Sequence, residues 1–187
     1  MTMVFNLGVF DMAGLMDIIK GLTGGGQVQA DQSQLMQMAT PQNPKQEVMG
    51  LLNQVFKDPA VVSGIAGNID VETGGTFDYK QKQSGGGQGE GLFQFTKPEM
   101  KSAYKDYLNL TQSEDSARNQ VYFVKSLLDS NEFYDVGSGH RSKLKKAFGS
   151  GDPEFVASEF SERFERPGEP HLERRMSSAK KIYKESK

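Results

Sequence analysis

From Asn43 onward, apolar residues recur at intervals of three and four, the spacing of helices that bury one face. Asn43-Pro44 opens a helix through Val48, Leu51, Leu52 and Val55. Asp58 ahead of Pro59 reads as an N-cap with proline at the first helical position, and predicts a helix to about Glu72. On that helix Val62, Ile65, Ala66 and Ile69 share a face, and Gly64 and Gly67 leave room for close neighbours. Thr96-Lys97-Pro98-Glu99 has the form of a capping box, leading into a helix with Met100, Ala103, Tyr104 and Tyr107 on one face. Thr111-Gln112-Ser113-Glu114 repeats the signal ahead of Ala117, Val121, Val124 and Leu128. Asp152-Pro153 caps a helix carrying Phe155, Val156, Phe160 and Phe164, and a last helix follows Glu169-Pro170 with Leu172, Met176, Ala179 and Tyr183. Between Gly74 and Gly91 the helical period is lost, and Thr76-Phe77-Asp78-Tyr79 has the makings of a short strand. The expected fold class is α+β, mainly helical, with a small hairpin or loop region.

Residues 1–44 follow another pattern. Gly24-Gly25-Gly26 precedes a run rich in Gln and Met from Gln27 to Met38, and Asp11, Asp17, Lys20 and Asp31 are the only charges before Lys45. Such a segment builds no core of its own. Its simplest reading is a tail; the sharper one is an assembly arm whose apolar residues, among them Phe5, Phe10, Ile18 and Ile19, dock on a partner chain. The expected organisation is an arm over 1–44 and a domain over 45–187. Asp11 and Asp17 interrupt the apolar stretch from Met1 to Leu22 and no basic segment precedes it, so neither a signal peptide nor a stable membrane span is expected.

With 187 residues, 36% hydrophobic and 25% charged, the chain is long enough for one domain with a substantial core plus an extension. A formal net charge of -2 argues against a dedicated nucleic-acid binder. The absence of cysteine excludes disulfides, thiolate metal sites and cysteine nucleophiles, and two histidines are too few for most histidine-based sites. Chemistry here rests on carboxylates, hydroxyls and amides, and no metal or other cofactor is expected.

Glu72 stands out among the carboxylates. It lies three residues after Ile69 and seven after Ile65, so it continues the apolar stripe and avoids the solvent face. It also sits in the last helical turn, at the negative end of the helix dipole, with Gly74-Gly75 as the stop. Desolvation and the dipole both disfavour its ionised form, which predicts a raised pKa. A carboxylic acid that donates a proton near neutral pH needs that environment.

Three segments then resemble the lysozyme-like superfamily, and within it the phage tail lysozyme group. Gly64 to Gly75, with Glu72-Thr73-Gly74, is similar to that group's helix ending in an acid, a small residue and glycine. Gly91-Leu92-Phe93-Gln94-Phe95-Thr96 is similar to its Gly-Leu-x-Gln-aromatic-Thr element. Phe164-Glu165-Arg166-Pro167-Gly168 is similar to its closing element. The resemblance spans about residues 49 to 185, with 19 positions from Glu72 to Gly91. It implies a peptidoglycan glycosidase in which Glu72 is the general acid, Gln94 hydrogen-bonds the glycan, and the backbone from Gly91 to Gln94 lines the cleft. With no tryptophan, the aromatic wall falls to Phe77, Tyr79, Phe93, Phe95 or Tyr104, and at least one of Phe93 and Phe95 is expected to be plain core.

Glycosidases commonly pair two acids, about 5 Å apart when retaining and roughly 6.5 to 9.5 Å apart when inverting. At the place where many lysozymes carry the second, this chain reads Gln88-Gly89-Glu90. Glu90 is the nearest candidate and Asp78 the next; Asp70 is expected to point away. If neither reaches the cleft, a lytic transglycosylase working with one acid is the alternative. The resemblance also implies a virion-borne enzyme at the tail or injection apparatus, held to other virion proteins by residues 1–44 and acting at the host cell wall. A free endolysin and an inactive structural tail protein are the rival readings. His140 is expected in a loop or at a helix entry, and His171 in a surface first turn. Arg163 and Arg166 are expected to pair with Glu159, Glu162 or carbonyls, and the run from Arg174 to Lys187 to form a solvated basic face.

Overall fold

The computed structural model describes residues 43–83, 87–130, 139–165 and 171–187. The expected arm over 1–44 therefore lies almost wholly outside the described residues, as does Arg166. Among the described residues seven α-helices follow in order: α1 (Pro44–Phe56), α2 (Pro59–Glu72), α3 (Pro98–Thr111), α4 (Ala117–Asp129), α5 (His140–Phe148), α6 (Pro153–Phe160) and α7 (Leu172–Glu185). A π-helical turn, Ser161–Glu165, continues α6.

Caps explain most of the boundaries. Asn43 Oδ1 accepts from Lys45 N at 3.0 Å, Asp58 Oδ1 from Ala60 N and Val61 N at 2.8 and 3.1 Å, and Asp152 Oδ1 from Glu154 N at 2.9 Å. In each case a proline supplies the first helical φ. Two expected capping boxes are corrected. Thr96 does not cap α3, whose N-cap is Lys97 with no side-chain bond. Thr111 ends α3, its hydroxyl donating to Tyr107 O at 2.8 Å, and Ser116 caps α4 by accepting from Asn119 N at 3.2 Å. Helix α5 has no side-chain cap, and His140, expected in a loop or at a helix entry, is its first residue.

Helix α2 is the axis of the domain. Every residue from Ala60 to Ile69 is buried, so the single buried face expected of it becomes burial all round. The cause is composition: apart from Ser63 and Asn68, positions 60–69 are apolar or glycine, and α6 and α7 pack along it. A β-carbon on Gly64 would lie 2.3 Å from Val156 Cγ1, and one on Gly67 2.7 Å from both Ala179 N and Arg175 O. The two glycines thus let two helices cross α2 at backbone contact. Ile65 and Ile69 are fully buried, each contributing about 1.5–3 kcal/mol. Val121, Phe123 and Val124 of α4 extend the core toward the loop that follows α2.

The β share of the expected α+β architecture is small. Among the described residues there is no strand, only an isolated antiparallel bridge between Lys82 and Glu90. It is flanked by Gln83 N to Gly89 O and Gly91 N to Gln81 O, both 2.8 Å. Residues 76–79 are not a strand. Phe77 turns there with φ +54°, its ring buried and its amide donating to Thr73 Oγ1 at 3.0 Å.

Candidate active site

The end of α2 carries the site. Gly74 and Gly75 have φ +59° and +84°, and Gly75 N donates back to Asp70 O at 2.7 Å, so the chain leaves the helix directly after Glu72. The Glu72 carboxylate is ion-paired to Arg175 Nη2 of α7. The other guanidinium nitrogen, Nη1, donates to Glu165 Oε2 at 2.5 Å and to Asn68 Oδ1 at 2.7 Å. Asn68 is itself fixed, donating to Gly64 O at 2.9 Å and Ala157 O at 3.0 Å. Arg175 is 1% exposed, so a buried cation is held by acceptors from α2 and the π turn.

Two carboxyls face this one cation. The Glu165 side chain is 3% exposed and that of Glu72 16%, so Glu72 is the member of the pair that reaches solvent. Burial, with the Glu72 charge adding to it, outweighs the opposing attraction of Arg175 and pushes Glu165 up to about 8. Glu165 Oε1 and the nearby Ser161 Oγ are buried without hydrogen-bond partners. Near neutral pH Glu165 therefore holds a proton beside the Arg175 guanidinium.

Arg175 and Glu165 are what sequence reasoning missed. Arg175 is not part of a solvated basic face: it lies four residues before Ala179 and seven before Ile182, the two other buried positions of α7. That is the stripe argument that singled out Glu72, and it was available for Arg175 too. Glu165 sat inside the closing element, directly after Phe164, without a role. Arg163 behaves as expected, meeting Glu159 at 3.0 Å and Glu162 at 2.9 Å. Asp70 turns to α7, accepting from Ser178 Oγ at 2.6 Å, and His171 is an exposed N-cap with φ +43°.

The loop after the bridge is built around two glutamines. Gly91 has φ +82°, and a β-carbon there would meet Gln120 Oε1 at 2.4 Å. Gln120 instead accepts from Leu92 N at 2.8 Å while its amide donates to Tyr79 O and Asp115 Oδ1, both at 2.9 Å. Gln94, at φ +45°, donates to Gly91 O at 2.9 Å and Gln81 O at 3.1 Å; its Oε1 is buried and unpartnered. Gln94 therefore ties the loop together from inside. Phe93 packs on Phe95 and Phe160 in the core.

Beside this loop lies a groove of about 460 Å³. Tyr79, Gly91, Phe95 and Tyr104 line it, with Glu90 also at its wall. Tyr104 donates to Asp115 Oδ1 at 2.7 Å, and burial with that carboxylate pushes its phenol far above the usual range, so it stays protonated. Of the expected site residues, Glu90, Gly91, Phe95 and Tyr79 meet here; Glu72, Gln94, Phe93 and Asp78 do not line this groove. Asp78 is exposed and closes a turn, accepting from Lys80 N at 2.9 Å. Among the described residues no group of three or more His, Asp or Glu is placed to hold a metal, and no helix is long and apolar enough to cross a membrane.

A mainly helical domain with a semi-buried acid ending its central helix is consistent with a lysozyme-like fold. A family model for phage tail lysozymes matches residues 42–185, and the chain belongs to that family. Membership supports a peptidoglycan-degrading activity in a bacteriophage. No curated protein and no solved structure is significantly similar to the chain.

Proposed function

We propose that the protein is a virion-associated glycosidase that cleaves the β-1,4 glycan of bacterial peptidoglycan during phage entry, with Glu72 as the proton donor. The observation that carries this is the pairing of Glu72 and Glu165 on one guanidinium. Glu165 keeps a proton near neutral pH and sits on the same guanidinium as Glu72, so the cluster stores a proton beside the one carboxyl that reaches solvent. Protonating the glycosidic oxygen lets the leaving sugar depart as positive charge develops on the ring. Arg175 remains charged throughout and stabilises the Glu72 carboxylate left behind. Asn68 and Glu165 hold the guanidinium in place. Tyr79, Phe95 and the Gly91 backbone would face sugar rings in the groove, while Gln94 and Phe93 keep that wall in shape from within.

Hydrolysis needs a second carboxylate to activate water or trap the ring, and Glu90 is the exposed candidate. One observation favours lytic transglycosylation as a second reading: Asp78 is committed to its turn and Glu165 is buried. In that case the substrate's own hydroxyl closes an anhydro ring. Residues 1–44 fit an arm that docks on other virion proteins at the tail or injection apparatus, whereas a free endolysin has no use for them.

The test is wall clearing by purified protein with Glu72→Gln as the control. The glutamine keeps the shape and an acceptor for Arg175 but has no proton to give, so clearing is expected to fall by about 10²–10⁴-fold. Retained clearing would remove Glu72 from the chemistry, and no clearing by the native chain would leave a structural tail protein. Mass spectrometry of purified particles for this chain tests virion association.

A further inference from the structure

We propose that the groove beside the 91–94 loop is a binding site for the carboxylate-bearing stem peptides of the wall polymer, gripped by a rim of lysines; the inference rests on the peptidoglycan reading above and adds the part of the substrate recognised. Lys80, Lys82, Lys101 and Lys105 all line the groove, from the loop after α2 on one side and from α3 on the other. Lys80, Lys82 and Lys105 are exposed and, among the described residues, have no acid within ion-pair distance. Lys101 is anchored, donating to Gln88 O at 2.5 Å, and Lys80 Nζ stands 5.4 Å above the Tyr79 ring. Four cations converge on one concavity in a chain whose net charge is -2. That local excess attracts anions.

The floor narrows the choice of anion. Tyr79, Phe95 and Tyr104 make it largely aromatic, and two acids stand among the lysines. Asp115 is spent on Tyr104 and Gln120; Glu90 is exposed. A polyphosphate chain would meet repulsion from Glu90 and would leave the aromatic floor unused. A glycan bearing short peptides uses all three features. Its rings and peptide planes lie on the aromatics, its carboxylates meet separate lysine point charges, and its amines find Glu90. A groove of about 460 Å³ holds a fragment of that size.

The experiment is co-sedimentation with purified sacculi, using the full chain with Glu72→Gln so that the polymer is not digested. The comparison is with the same chain carrying Lys80→Gln, Lys82→Gln and Lys105→Gln. These side chains are exposed, and matched melting curves check that the fold is kept. Low-salt affinity for intact sacculi is expected to fall by about tenfold on neutralising the three charges. Sacculi stripped of stem peptides by an amidase should hold the lysine-intact chain no better than the variant, and sacculi stripped of phosphate polymers by acid should hold it as before. Equal binding of both chains to intact sacculi overturns the proposal, as does affinity that survives amidase treatment or that vanishes with the phosphate polymers. Wall clearing by the Glu72→Gln chain would instead overturn the catalytic reading, which this binding comparison does not touch.

Discussion

Glu72 and Arg175, 103 residues apart in the chain, form an ion pair that joins the end of α2 to the buried stripe of α7. The pair has a third member, since Arg175 also binds Glu165, so the charge of the proposed acid is set by two helices and a π turn together. Substitutions at any of the three positions are therefore expected to act on stability and on wall cleavage at once.

Arg175→Met tests that coupling. The guanidinium leaves two carboxyls facing each other without a cation in a nearly dry site, and losing one partner of a buried pair costs about 3–5 kcal/mol. The expected result is a large drop in melting temperature near neutral pH, with loss of clearing at temperatures where the protein is still folded. Arg175→Lys keeps a charge but lacks the fork that serves two carboxyls and Asn68, so it should retain more stability than activity. A methionine variant with native melting would show that the ion pair is not holding α7.

The pH dependence follows from Glu165. Its ordinary carboxyl value is 4.5 and burial raises it to about 8 in the folded chain. Between those limits the folded state holds a proton that the unfolded state has released. Its contribution to stability is thus full below about pH 4.5 and lost as pH rises toward 8. Glu165→Gln cannot ionise and escapes this loss. The melting temperature of the variant minus that of the native chain is expected to grow from pH 5 to pH 8. A gap that is flat or shrinks over that window would mean Glu165 is ionised in the fold.

Gly67 offers a test by packing alone. A β-carbon there meets Ala179 N and Arg175 O, both backbone atoms of α7, at 2.7 Å, so Gly67→Ala must push the helix that carries the guanidinium. Overpacking of this kind costs about 1–3 kcal/mol, and the shift of α7 should lower clearing as well. Gly50 is the control. It lies in α1 with nothing within 4 Å, and alanine there should stabilise by up to about 1 kcal/mol through helix propensity. Opposite shifts in the two melting curves are expected; equal shifts would mean that the approach of α7 is looser than described.

Local rules carried the sequence reading where local physics decides. Asn43, Asp58 and Asp152, each before a proline, placed three helix starts, and Gly64 and Gly67 marked the crossings on α2. The same rules failed at Thr96 and Thr111, where the four-residue pattern was present but the chain committed to Lys97 and Ser116. Non-local pairing was harder to see. Nothing next to Arg175 in the chain tells it from Arg174; only its register with Ala179 and Ile182 does, and the run of basic neighbours hid that register. Glu165 becomes notable only once α7 brings a guanidinium to it. Gln94, read as a hand for the substrate, has both amide hydrogens committed to Gly91 and Gln81, because a loop rich in glycine needs a side chain to stand in for the missing backbone ladder.

The end group of the product decides between the two chemistries. If Glu90 activates water, hydrolysis leaves a reducing end, and Glu90→Gln should lower clearing by about 10²–10⁴-fold while leaving the fold intact, because the side chain is exposed and its bridge to Lys82 is made by backbone. If the substrate's own hydroxyl closes the ring, the product carries an anhydro end, lighter by one water, and Glu90→Gln clears walls at nearly the native rate. Mass analysis of muropeptides released by the native chain and by the Glu90 variant reads both consequences in one experiment. Reducing ends together with a slow Glu90 variant are the outcome expected of the proposed hydrolase. Anhydro ends with an indifferent Glu90 would assign the chain to transglycosylation, with Glu72 acting first as acid and then, in its ionised form beside Arg175, as the base that draws the proton from the closing hydroxyl.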